Sequence, residues 1–314
     1  MSIIAMRILI TGATGFLGRA LTMALVQEGF GLTAAIRNSN ATLPSAVTSA
    51  CISTIDHATD WSDTLDGIDA VIHCAARVHV TKETALDSLA TFRRTNTDGT
   101  LRLAKQAADA GIKRFIFIST IGVNGTETGL TPFTPDSQIA PNSPYAQSKW
   151  EAEKGLFALA VQTGMEVVVI RPPLIYGRGA PGNFASLLRG VDQYFPFPFG
   201  CVRNKRSFAA IDNVVSLIRC CLDHPSAANQ VFLVSDGNDL STADFIRKLA
   251  AARGKLCILL PIPAPLLAGF AACLNKEKQL RKITGSLQID IRKNAELLGW
   301  TPPVSVEEAL RQIR

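Results

Sequence analysis

A chain of 314 residues is long enough to bury a large core and to divide into two interlocked parts. With 47% hydrophobic and 18% charged residues it has the make-up of a folded α/β protein, which excludes a disordered or fibrous chain. The net charge of +6 is mild and comes without a basic run, so anionic small ligands are expected as partners and nucleic acid is not.

The opening segment, MSIIAMRILITG, passes into a strand too soon to act as a signal peptide. RILIT (7–11) reads as the first strand, with a helix over Gly15–Glu28 behind it. LTAAI (32–36), ACISTI (50–55) and DAVIHCAA (69–76) read as the next three strands. A long helix over about Leu86–Ala110 leads to RFIFIST (114–120), and a helix over Pro144–Thr163 leads to EVVVIR (166–171). These strands are continuously apolar rather than alternating, as parallel strands covered on both faces must be. Gly29, Gly111 and Gly164 stand where the helices should stop. Strands alternating with helices predict an α/β fold with a doubly wound parallel sheet, and QVFLVS (230–235) is expected to return to it as a seventh strand.

Beyond Arg171 the texture becomes rich in loops, with helices expected at about 212–223, 242–253 and 291–299. This predicts a smaller α/β lobe for substrate, about 172–207 plus 236–314, beside a first domain of 1–171 plus about 208–235. A cleft should separate them. Within the second part, Leu256–Leu274 runs for 19 residues without a charge. Its length suits a membrane span, but Pro261, Pro263 and Pro265 break a helix near its middle. A buried strand, a turn and a short packed helix are expected there, with peripheral membrane contact as the lesser alternative. Seven cysteines without a CxxC pair suit reduced thiols in the cytoplasm, and Cys220 and Cys221 suit a helix core. His57, His73, His79 and His224 have no metal-ligand spacing, so no metal is expected.

Gly12, Gly15 and Gly18 follow the first strand directly and open the first helix. Glycine allows the tight turn, and it lets a pyrophosphate approach the free N–H groups of the helix N-terminus. In that strand–turn–helix setting the triplet predicts dinucleotide binding. An acid holding the ribose 2′-OH is expected at the end of the second strand of an NAD site; here the chain offers Arg37. A guanidinium suits a 2′-phosphate, which favours NADP(H), with NAD(H) as the alternative. Asp56, after the third strand, suits either an adenine neighbour or a strand-end cap.

Tyr145 and Lys149 are one helical turn apart and share a face. A free tyrosine has a pKa of about 10, and a neighbouring ammonium favours its phenolate. That is the pairing an enzyme needs to pass a proton to or from a hydroxyl near neutral pH.

Taken together, TGATGFLG, HCAA at 73–76, Asn96 in TNTDGT, Ser119–Thr120 and Tyr145-x-x-x-Lys149 resemble, in order, the extended short-chain dehydrogenase/reductases. RPPLIYG, KRSFAAIDN and LGWTP extend the resemblance over nearly the whole chain, toward sugar-nucleotide epimerases and dehydratases. It implies a Rossmann-type fold with Tyr145 as acid/base and Lys149 as its charge partner and ribose anchor. Thr120 would hydrogen-bond the reacting oxygen, with Ser119 as the fallback. Thr14, Phe16, Leu17, Ala75, Ala76, Asn96 and Pro172 would join the glycines around the dinucleotide. Arg206 would meet a nucleotide-diphosphate sugar, with Lys205 competing because the segment before Asp212 is one residue short of the usual pattern; Asn183 and Arg178 are further substrate candidates. The spacing GxxGxxG and Leu174 depart from other patterns, the latter from UDP-galactose-type epimerases that carry asparagine. Thr120-Ile121-Gly122 lacks the Asp–Glu pair of dehydratases, so dehydration is not expected.

The reading that follows first is an NADPH-dependent 4-ketoreductase of a UDP-4-keto-6-deoxy-(N-acetyl)hexose in surface polysaccharide biosynthesis. The second is a UDP-hexose or UDP-N-acetylhexosamine 4-epimerase with retained NAD. A steroid- or flavonoid-type dehydrogenase and a non-catalytic NADP-sensing protein are more remote. The resemblance also implies a homodimer formed through the helices at about 86–110 and 143–163.

Overall fold

The computed structural model describes residues 6–78 and 88–313; His79 and the start of the helix expected from Leu86 lie outside the described residues. The strands are β1 (Arg7–Thr11), β2 (Gly31–Ile36), β3 (Val47–Cys51), β4 (Ala70–His73), β5 (Arg114–Ile118), β6 (Glu166–Arg171), β7 (Ile175–Tyr176), β8 (Ala209–Ala210) and β9 (Gln230–Leu233). Seven of them form one sheet in the order β3-β2-β1-β4-β5-β6-β9, every pair parallel. The progression reverses between β1 and β4, and at such a switch point the carboxyl ends of the strands open a crevice for ligands.

Alternate residues of the central strands feed two cores. Ile8 and Ile10 face α1 (Phe16–Gln27), while Leu9 faces the opposite layer. α2 (Ser62–Leu65), α4 (Gly99–Asp109) and α5 (Pro144–Thr163) build that opposite layer through Leu65, Leu103, Ala107 and Leu156. Each such leucine or isoleucine, fully removed from water, contributes roughly 1.5–3 kcal/mol.

β3 begins three residues before its expected start and ends at Cys51. It is the sheet edge, where the polar VTSAC is tolerated, and Ile52 and Ile55 leave the ladder to pack beneath the sheet. The long helix expected to run to Ala110 is broken into α3 (Ser88–Arg93), one π turn (Arg94–Asp98) and α4. Gly99 marks the reason, because a Cβ there would come within 2.7 Å of the Ile55 side chain. The α5 boundaries match the expectation, with Ser143 accepting the Ala146 N–H at 3.2 Å and Gly164 closing the helix at φ 76°.

The second lobe contains α6 (Asn183–Asp192), α8 (Thr242–Ala252), α9 (Ala264–Cys273), α10 (Glu277–Thr284) and α12 (Val306–Arg311). Its core is aromatic, with Phe208 stacked on Phe245 at 4.1 Å and Tyr176 against both Phe184 and Phe245. α7 (Ile211–Asp223) packs against the first lobe beside α1, and α11 (Arg292–Leu298) follows it there. Leu298 and Trp300, expected in the second lobe, thus join the first lobe's core, and Trp300 Nε1 donates to Ser216 Oγ at 3.0 Å. The 256–274 stretch also departs from its expected burial: in α9 only Leu267 and Ala271 are buried. No helix among the described residues is long and apolar enough to cross a membrane.

Candidate active site

Gly12 turns at φ 70°, and a Cβ on it would lie 2.8 Å from the Ala75 amide nitrogen, so β1 and the segment after β4 meet only through glycine. A Cβ on Gly18 would fall 2.1 Å from the Gly12 carbonyl, which fixes the close contact between helix and strand. Gly15 caps α1 without any side-chain bond, and a Cβ there would meet only the Gly12 carbonyl, at 3.2 Å. The N-terminus of α1 is therefore an open anion cradle. Leu17 is buried, Phe16 half-buried and Thr14 exposed on this loop.

Beside the cradle the backbone is held by a directed chain of hydrogen bonds. The Ala75 N–H donates to Thr11 Oγ1 at 3.2 Å, and Thr11 lies 2.7 Å from His73 Nδ1. His73 Nε2 lies 2.9 Å from Thr100 Oγ1, which donates to the Asn96 carbonyl. These partners assign the proton to Nε2. Burial pushes the His73 pKa down to about 3, so the ring is a neutral strut. Asn96, fully buried in the π turn, accepts the Arg77 N–H at 2.8 Å and donates to the Arg77 carbonyl and to Ser148 Oγ. The wide turn thus aims one amide at the strand-end backbone and at α5. Ala76 lies half-exposed in the same strand-end segment.

Tyr145 and Lys149 occupy the first turns of α5. Burial pushes the Tyr145 phenol up to about 12, opposite to the lowering expected from the ammonium one turn away. Lys149, 1% exposed, is pushed down to about 7 by burial, and its ammonium sits 3.8 Å above the Phe117 ring. The strand-end hydroxyls have different surroundings. Ser119 is buried and donates to Glu153, while Thr120 Oγ1 accepts the Gly122 N–H at 3.1 Å and keeps its own proton. Ser119 is thereby committed to the core. Glu153 is in turn paired with buried Arg171 at 2.6 Å, and Arg171 also reaches Asn124 Oδ1 at 3.0 Å.

The loop 124–142, which leads into Tyr145, is stitched to the second lobe. Thr128 N–H donates to the Ser286 carbonyl at 2.8 Å, and Phe133 exchanges backbone bonds with Gln288 and Asp290. On its other side the 285–290 segment pairs with 205–207. Arg206, half-buried there, donates to the Gly285 carbonyl at 2.8 Å, and burial lowers its pKa against the opposing pull of Glu127. Lys205 is exposed, as is Asn183 at the first position of α6. Arg178 lines a cavity of about 550 Å³ between α1, α7 and α12, which does not include Tyr145, Lys149 or Thr120. Asp56 spends one carboxylate oxygen on Arg94 at 2.8 Å and the other on the Ala58 N–H. Arg37 stands exposed just past β2, and buried Pro172 accepts the Ile121 N–H at 2.9 Å.

Residues 8–235 match the model of the "NAD dependent epimerase/dehydratase family". The chain belongs to this family. It is 44% identical over 308 residues to a UDP-glucose 4-epimerase of Vibrio cholerae, covering 97% of this chain and 93% of that one. At 28% identity it is similar to an N-acetyl-α-D-glucosaminyl-diphospho-ditrans,octacis-undecaprenol 4-epimerase of Escherichia coli O157:H7, over 60% of this chain and 56% of that one. Among solved structures, UDP-glucuronic acid 4-epimerase of Bacillus cereus in complex with NAD aligns with a TM-score of 0.78 at 23% identity, covering 98% of this chain and 95% of that one, which supports the same fold.

As a member of the epimerase/dehydratase family the chain is a dinucleotide-dependent enzyme of the extended short-chain dehydrogenase/reductases. Its own residues fit the group: glycine at each of the three positions where a side chain would block the turn, the helix or the anion. The sequence reading missed the Glu153–Arg171 pair and the His73 chain. A signal for the first was present, since Arg171 ends an otherwise apolar strand and Glu153 follows Lys149 by one turn.

Proposed function

We propose that this chain is a 4-epimerase of a nucleotide-activated hexose that retains NAD through the reaction. The observation that carries this is its 44% identity to the Vibrio cholerae UDP-glucose 4-epimerase across almost the whole of both chains. The bound dinucleotide supplies the hydride acceptor and donor for C4 of the sugar. Tyr145, a phenol at rest, exchanges a proton with the C4 oxygen, and Lys149, one turn along the same helix, is its charge partner when protonated. Thr120 donates its hydroxyl proton to the same oxygen, while its oxygen accepts the Gly122 N–H. Arg206 and Asn183 are assigned to the nucleotide diphosphate, and Gly12, Gly15, Gly18 and Asn96 to holding the coenzyme. Inversion would follow if the 4-keto sugar turned its other face to the coenzyme before hydride returned to C4, with Tyr145 serving the C4 oxygen in both directions.

The purified protein should interconvert UDP-glucose and UDP-galactose, or the N-acetylated pair, without added coenzyme. Tyr145→Phe should lower turnover by about 10²–10⁴-fold, the usual contribution of a general acid/base, while dinucleotide binding stays intact. Undiminished turnover in that variant would remove the assignment.

One observation favours a second reading, an NADPH-dependent 4-ketoreductase of a 4-keto-6-deoxyhexose nucleotide in surface polysaccharide biosynthesis: β2 is followed by Arg37 and not by a carboxylate. Under that reading Arg37→Ala weakens NADPH far more than NADH in a binding titration. An equal effect on the two coenzymes withdraws it. Either enzyme would work in the cytoplasm as a homodimer joined through α4 and α5, and the 88% exposure of Val161 on α5 supports that pairing.

A further inference from the structure

We propose that the corner formed by α9 and α10 docks this protein on an anionic phospholipid surface. The proposal is independent of the reaction assigned above. α9 carries no charge, and Leu266, Phe270 and Leu274, at successive i,i+4 positions, are 57%, 67% and 64% exposed. They form one outward stripe alongside the buried row of Leu267 and Ala271. Asn275, at φ 53°, then turns the chain so that α10 packs beside α9.

α10 buries none of its residues. Lys276, Lys278, Arg281 and Lys282 are all exposed there against a single carboxylate, Glu277, and none of the four has an ion-pair partner among the described residues. An apolar stripe bordered by unpaired cations is the pattern of a helix lying in a lipid interface. The stripe enters the acyl boundary while the lysines and arginine meet anionic head groups. At ten residues α9 is only ~15 Å long, half of a hydrocarbon core, so it lies on the surface and does not span it.

Charge complementarity selects the lipid over a second copy of the chain. A two-fold contact through α9 would bring two α10 helices of the same sign together, whereas an anionic bilayer neutralises them. Tyr194 and Phe195 are also exposed, on a turn whose continuation pairs with the chain entering α9 (Phe197 with Leu259).

Flotation of the purified protein with vesicles tests this. Phosphatidylglycerol/phosphatidylethanolamine vesicles should bind it, phosphatidylcholine vesicles should not, and added salt should release it. The double variant Lys278→Glu/Lys282→Glu should partition about tenfold more weakly or worse, as loss of two surface cations implies. Leu266→Ser/Phe270→Ser should lose binding to a similar degree, with dinucleotide binding unchanged as the sign of an intact fold. Equal binding to phosphatidylcholine, no binding to either, or undiminished binding by both variants overturns the proposal. So does a sedimentation shift from dimer to monomer in Leu266→Ser/Phe270→Ser, which would give the stripe to a second copy.

Discussion

Lys149 keeps an amine where water does not reach it, and this has a measurable cost. In the folded chain it titrates near 7; its ordinary value is 10.5. Below pH 7 both folded and unfolded chains hold the proton, and the full cost of burying the charge is present. Between 7 and 10.5 only the unfolded chain holds it, so stability gains steadily with pH; above 10.5 both are neutral and the cost is gone. Lys149→Met is therefore expected to raise the melting temperature below pH 7, by an amount corresponding to a few kcal/mol, and to lose that advantage by pH 10.5. Melting curves of both proteins across that range check it, and an advantage that persisted at high pH would contradict the burial argument. The Tyr145–Lys149 spacing was legible in the sequence because i,i+4 geometry follows from the helix alone. The direction in which each group titrates was not, since it depends on the β5 ring and the sheet layer packed over them.

At the scale of elements, one buried pair joins what the reaction needs held in register. Glu153 on α5 and Arg171 at the end of β6 bond to each other, to Ser119 after β5 and to Asn124 in the following loop. Removing one member leaves the other charged and unpaired in the core. Glu153→Ala should cost about 3–5 kcal/mol in urea unfolding, while Glu153→Met combined with Arg171→Met should recover most of it. A loss below about 1 kcal/mol in the single variant would show that the pair is not desolvated as its burial implies. The ends of α5 could be read from Ser143, Pro144 and Gly164, since capping chemistry is local. The π turn could not, because it follows from a tertiary demand: Gly99 must clear Ile55 while Asn96 reaches both Arg77 and Ser148.

Across the whole molecule the two lobes are interlocked. The chain leaves the first lobe after β6, returns with α7 and β9, leaves again, and returns once more with α11 and Trp300. Trp61 and Trp300 sit in the two cores on opposite faces of the sheet. Unfolding followed by tryptophan fluorescence and by far-ultraviolet circular dichroism should therefore give one coincident transition. Two separated transitions would mean that the lobes are independent. The sheet was legible at this scale because continuous apolar runs alternating with helices admit few other arrangements. The final return was not, since Arg292–Leu298 reads like any other short helix, and only its burial against β9 assigns it to a lobe.

The stitching of the 124–142 loop to residues 285–290 also sets an order of events in time. Thr128 Oγ1 and the Gln288 amide that bonds to it are 160 positions apart. Chains emerge from the ribosome N-terminus first, and long-range closures come late. All seven strands of the large sheet are available once β9 has emerged, yet the loop preceding Tyr145 still lacks its partner segment. The loop before Tyr145 and the core around Leu298 and Trp300 are therefore both completed only by the last tenth of synthesis.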